Sequence, residues 1–195
     1  MTSTQIIWKG TYYNTLEYLH LQSDNAHDVR GYITGLVNDL PLHVSYHITA
    51  NAAWETTGVL IRAHDHIQKE LQFTRENGEW HDKLGTIHEI FSPCADIDIS
   101  ITPFTNTLAV NRLQLAEGES QEITVLYFDL PAMDVKPVKQ RYTRLADRLY
   151  RYESLWSGFT ADLEVDEHGI ARDYPGIWVR EWPASVQSSA PSSAL

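Results

Sequence analysis

The sequence predicts an all-β, mostly antiparallel protein with little helix, and three observations carry that prediction. Apolar and polar residues alternate over short runs, turn-forming residues separate the runs, and β-branched and aromatic residues concentrate within them. Alternation at every residue suits a strand with one face packed and the other in water or lining a polar cavity. No internal repeat is visible, and no interior stretch reads as a linker. One domain is therefore expected over residues 1–182, with a small, polar, mobile tail over 183–195.

Taken along the chain, Leu42 to Thr49 exchanges apolar for polar at each step and predicts a strand. Lys69 to Arg75 and Glu79 to Leu84 flank Asn77-Gly78, a pair that accepts positive φ at both positions and so predicts a tight hairpin. Asp96 to Ile101 alternates again. Pro103 then removes a backbone donor, so the strand should end there and Thr102 to Thr107 should form a polar turn. Glu122 to Leu130 is rich in β-branched and aromatic residues and stops at Pro131. Val138, Tyr142, Leu145, Leu149, Tyr152 and Leu155 fall at helical spacing, while Tyr150 to Ser154 reads as a strand, so pattern alone leaves 138–155 open between helix and hairpin. Phe159 to Asp166 and Ile170 to Trp182 bracket Glu167-His168-Gly169, a further hairpin candidate. Together these runs predict about ten strands, spaced as in sandwiches and barrels.

Composition narrows the function. Lys and Arg number 15 against 26 Asp and Glu, for a net charge of −11. Nucleic acid and anionic lipid surfaces are recognised through basic faces, which this chain lacks. Cys94 is the single cysteine, so neither an internal disulfide nor a cysteine-built zinc site is expected. Met1 to Gly10 does not read as a secretory leader, and no apolar run approaches the ~18 residues of a membrane span, so a cytoplasmic location is expected. No GxGxxG, Walker, GxSxG, HExxH or EF-hand pattern occurs, and no cofactor is called for.

Four groups of residues carry possible chemistry. Asp96 and Asp98, two apart on a strand, share one face while Ile97, Ile99 and Ile101 share the other. Paired carboxylates can divide acid and base roles in glycoside hydrolysis, but the simpler reading is the wet face of an amphipathic strand. His64-Asp65-His66 offers two histidines on one face; nothing in the spacing demands a third ligand, and surface histidines are the simpler reading. Thr102, Thr105 and Asn106 concentrate hydroxyl and amide groups beside an apolar wall, which suits loop backbone and equally the head of an amphiphile. Arg112 is placed to bridge Asp96 or Asp98, or to meet a ligand.

The run from Cys94 through Thr102-Pro103-Phe104-Thr105-Asn106-Thr107-Leu108 to Arg112-Leu113 resembles the putative glycolipid-binding family, a bacterial group long described as a domain of unknown function. Gln140-Arg141-Tyr142, Tyr150 to Ser154, Phe159 to Asp166, Gly169-Ile170 and Asp173 to Gly176 extend the resemblance, as do Tyr46 and Trp54, over Trp8 to Trp182. It departs from the family where Ala109 replaces Pro, and where Asn111 and Thr57 replace Arg; fewer basic residues argue against an anionic head group. The resemblance implies a strongly curved half-barrel or spiral β-roll, similar to lipoprotein carriers, with an apolar concave groove. It also favours the hairpin for 140–154, turning near Asp147. The function it implies is non-catalytic binding of a lipid or glycolipid, with the head held by Asp96, Asp98, Thr102, Thr105, Asn106 and Arg112, and with Trp54, Tyr142 and Tyr174 as aromatic contacts. A hydrolase of sugars or esters using Asp96 and Asp98, and an interaction module without ligand, are the alternatives.

Overall fold

Strict alternation between buried and exposed positions governs the first half of the chain. In the computed structural model, which describes residues 2–64 and 68–183, it builds a meander of seven antiparallel strands: β1 (Thr2–Gly10), β2 (Thr15–Ser23), β3 (Ala26–Val37), β4 (Leu40–Asn51), β5 (Thr56–Ala63), β6 (Glu70–Glu76) and β7 (Glu79–Asp82). The Leu42–Thr49 run falls inside β4 as its pattern predicts. Asn77 and Gly78, at φ 52 and 85, close the β6–β7 hairpin with Glu76 opposite Glu79. Asp65 and His66 of the two-histidine pair, and the tail after Pro183, lie outside the described residues.

The second sheet is built from β8 (Asp96–Ile99), β9 (Ser120–Asp129), β10 (Asp134–Ala146), β11 (Leu149–Ser154) and β12 (Thr160–Glu164), in the order β12-β11-β10-β9-β8. The open segment 138–155 is a hairpin: Tyr142 pairs with Tyr152, and Arg148 takes φ 58 at the turn. Pro137 is tolerated in β10 because β11 pairs only from Gln140 onward, leaving the proline's side of the strand unpaired. The chain then returns to the first sheet, where β13 (Asp173–Tyr174) and β14 (Trp178–Trp182) extend it beyond β1 to nine strands. Fourteen strands thus stand among the described residues where about ten were expected. The two-residue β13 and four-residue β7 are too short to show alternation in sequence.

One pairing breaks the antiparallel rule. β8 runs parallel to β9, and parallel neighbours need a crossover connection. That crossover holds the helix α1 (Thr105–Leu113), which overturns the turn expected at Thr102–Thr107. Pro103 is compatible with the helix because it precedes the N-cap, Phe104, so its missing N–H removes no helical bond. The Thr102 hydroxyl accepts the Phe104 N–H at 3.1 Å and completes the entry. Two threonines, two asparagines and a valine give the segment weak helical propensity, so burial of Thr105 through Val110 is what holds it.

Neither sheet closes into a barrel; together they form a curved half-barrel. The side chains between the sheets make one buried cluster, with Trp8, Leu19, Ile33, Ile48 and Ile61 meeting Ile97, Ile99, Phe104, Leu108 and Phe128. Trp80 donates its ring N–H to the Cys94 carbonyl at 2.9 Å, and Phe73 meets Phe128 edge-on at 6.0 Å. α1 and β8 pack into this cluster, and a hollow opens toward one end of the two sheets. No described helix is long and apolar enough to cross a membrane.

Candidate ligand-binding site

Turns at one end of the two sheets enclose an open hollow of about 440 Å3. Its walls are aromatic: Tyr12 and Tyr13 from the β1–β2 turn, Tyr127 from β9, Tyr152 from β11, Trp156 and Phe159 from the β11–β12 turn, Tyr174 from β13, and Trp178 from β14. The rings touch in sequence around the rim. Tyr152 lies 6.2 Å from Phe159, Phe159 stacks on Tyr174 at 6.1 Å, Tyr174 meets Trp178 edge-on at 5.3 Å, and Trp178 lies 5.7 Å from Tyr13. Opposite them, Tyr127 and Trp156 are 5.5 Å apart. Such contacts fix each ring in place, so the walls are formed before any ligand arrives.

The floor is polar, and β8 with the start of α1 supplies it. Asp98, Thr102 and Asn106 all line the hollow. Asp98 accepts the Thr105 hydroxyl at 2.8 Å and the Gln140 side-chain amide at 2.6 Å, and that amide also reaches the Tyr152 hydroxyl at 3.0 Å. Burial pushes the Asp98 carboxyl above its usual range, and the bonds from Thr105 and Gln140 offset only part of that. Burial, followed by the nearby Asp98 charge, raises Tyr127, Tyr152 and Tyr174, so their hydroxyls stay protonated and available as donors. Asn106 accepts the Tyr142 hydroxyl at 2.8 Å from behind the floor.

A buried relay lies under Thr102. The Thr102 hydroxyl donates to Glu17 at 2.8 Å, and the Tyr46 hydroxyl donates to the same carboxyl oxygen. Glu17 is 1% exposed, its second oxygen has no partner among the described residues, and burial pushes it up to about 8. Gly31 makes room for this arrangement: a Cβ there would come within 2.0 Å of the Tyr46 ring.

The remaining candidates separate. The wet-face reading of Asp96 and Asp98 is corrected, since Asp96 is fully buried and Asp98 meets open space only in the hollow. β9 pairs along one edge of β8 and α1 packs against the strand, so Asp96 is closed off while Asp98 is left at the hollow. Arg112 grips Asp96 through two bonds of 2.8 and 2.6 Å, and neither residue lines the hollow. Thr105 and Tyr142 stand behind the floor as partners of Asp98 and Asn106. Trp54 lies elsewhere, stacked on His27 at 3.6 Å in the β4–β5 turn. Of the nine residues singled out, the structure brings Asp98, Thr102, Asn106 and Tyr174 to the hollow itself. Asn111, where the family has Arg, donates to the Thr107 and His168 carbonyls at 3.0 and 2.9 Å, tying α1 to the turn at Gly169. Cys94 is buried and pushed up to about 12, a protonated thiol within the core. Among the described residues no cluster of three or more His, Cys, Asp or Glu side chains is placed to hold a metal.

Sequence reasoning missed Tyr12, Tyr13, Tyr127, Tyr152, Trp156, Phe159 and Trp178 in the walls, and Gln140 and Glu17 behind the floor. A signal for the walls existed: Tyr12-Tyr13 and Trp156 sit in turns, where no core needs large rings.

Comparison with known proteins supplies the context for this geometry. No curated protein matches the chain. A solved structure does: the crystal structure of a DUF1089-family protein from Pseudomonas aeruginosa is 33% identical, superposes with a TM-score of 0.75, and covers 84% of this chain and 91% of its own. The family described as putative glycolipid-binding matches residues 5–180, which is nearly all of the described chain. On that match the chain belongs to the putative glycolipid-binding family.

Proposed function

We propose that the protein binds an amphiphile with a neutral sugar head, without chemical conversion, and that the sugar occupies the aromatic hollow. One observation carries this reading: eight aromatic rings surround a space whose floor presents Asp98, Thr102 and Asn106. A sugar ring has apolar C–H faces and polar O–H edges. Aromatic faces shield the former, while the Asp98 carboxyl and the wall tyrosine hydroxyls meet the latter. No Lys or Arg is among the lining residues, and the chain carries a net charge of −11, so a neutral head fits better than a phosphate. The match to the family model points the same way.

A hydrolase reading draws less support. Glycoside cleavage uses two carboxyl groups flanking the bond, whereas Asp98 is the single carboxyl lining this hollow and Asp96 is held by Arg112. The test is titration with neutral alkyl glycosides, read by tryptophan fluorescence, because Trp156 and Trp178 line the space. Saturable quenching is expected, with Asp98→Asn weakening affinity about tenfold, the equivalent of one charge-assisted hydrogen bond. A flat titration across a panel of glycosides would remove the proposal.

A further inference from the structure

A second hollow, of about 510 Å3, opens beside the first. The two have Tyr12, Tyr13, Ser100 and Tyr127 in common as a shared wall. Across that wall the chemistry changes. The first hollow is aromatic with a carboxyl floor, whereas the second is lined by Val37, Leu40, Leu42 and Leu130 with Pro41 and Pro131. These come from the end of β3, the start of β4 and the connection after β9, segments that the half-barrel brings together at this end.

Val37, Leu42 and Leu130 are buried and form the base of this hollow, while Leu40, 58% exposed, Tyr12, 75% exposed, and the exposed Pro41 give it an uncovered apolar edge. Asp129 and Asn38 also line the space, so it is dry on one flank only. That shape suits a single flexible chain lying against Leu40, Pro41 and Pro131 with its other side toward water.

We propose that the second hollow holds the alkyl chain of the same amphiphile whose sugar sits in the first, the Tyr13–Tyr127 wall marking where head joins tail. The head-to-tail order rests on the sugar reading above; the chain's place does not. The residues common to the two hollows supply the argument, since a ligand passing Tyr13 and Tyr127 from the polar floor meets Leu40 and Pro41 next.

The experiment uses the full chain with an environment-sensitive thiol dye on Ala132→Cys, an exposed position lining the second hollow; buried Cys94 stays unlabelled. Tryptophan fluorescence reports the first hollow and the dye the second. The probes are methyl β-glucoside, octyl β-glucoside below its micelle concentration, and octanol. Octyl glucoside is expected to shift both signals and to bind more tightly than methyl glucoside, by up to about fourfold per buried methylene. Leu40→Asp should erase that gain and leave methyl glucoside affinity unchanged. If both glucosides quench tryptophan equally and the dye stays silent, the tail site is overturned while the sugar reading stands. If octanol moves the dye and no glucoside quenches tryptophan, the tail site is supported and the sugar reading falls. Silence from every probe overturns both.

Discussion

Burial sets the charge state of Glu17. Its carboxyl is enclosed by Tyr46 and Thr102, one oxygen has no partner among the described residues, and burial pushes it up to about 8 from the 4.5 of an ordinary glutamate. Between those values the folded state keeps a proton that the unfolded state releases. Stability is therefore undiminished below pH 4.5 and is lost as pH rises through 8, by on the order of a few kcal/mol. Glu17→Gln keeps the acceptor for Tyr46 and Thr102 and cannot ionise. It should flatten the decline in urea midpoint between pH 5 and 8 that the parent protein shows, and an unchanged slope would assign the decline to another group. The alternating pattern of β2 places Glu17 on a buried position, yet nothing near it in sequence announces the partner, because Thr102 lies 85 residues away.

At the scale of elements, α1 and β8 form a unit held by Asp96 and Arg112. Asp96 has no exposed side-chain surface, and the Arg112 side chain is 20% exposed, so the pair sits largely out of solvent. Removing one partner of a buried pair strands the other charge. Arg112→Met is expected to cost about 3–5 kcal/mol in urea denaturation, and the double change with Asp96→Asn should recover part of it. A loss below about 1 kcal/mol would mean that the carboxylate finds water instead. The spacing of Asp96 and Asp98 on one strand face was legible from the alternation. Their separation into a structural anchor and a cavity floor was not, because it depends on Asp96 meeting Arg112 at the end of α1 and Asp98 meeting Thr105 at its start, beside the hollow. The helix itself escaped for a related reason: Thr105 to Leu113 has little intrinsic helicity, and burial within the fold stabilises it.

For the molecule as a whole, binding and stability are linked. A ligand that occupies the hollow only in the folded state raises stability by about 2.7 kcal/mol at a hundredfold excess over its dissociation constant. An alkyl glycoside should therefore raise the melting temperature by several degrees, and Trp156→Ala should abolish the rise with little effect on the unliganded protein, since Trp156 is 48% exposed. The net charge of −11 adds a second expectation: vesicles of anionic phospholipid should not retain the protein at low salt, while neutral vesicles doped with glycolipid should. Retention by the anionic vesicles alone would contradict the neutral-head reading.

The sequence by itself determined β4, the β6–β7 hairpin at Asn77-Gly78 and the arrest of β9 before Pro131. Each depends on neighbours two to four residues apart, so each is written locally. Only the tertiary structure decided the parallel β8–β9 pairing, the helix it requires, and the gathering of Tyr13, Tyr127, Trp156, Tyr174 and Trp178 around Asp98. Those rings lie in turns and strands up to 165 residues apart, and the closing of the two sheets at one end is what makes them neighbours.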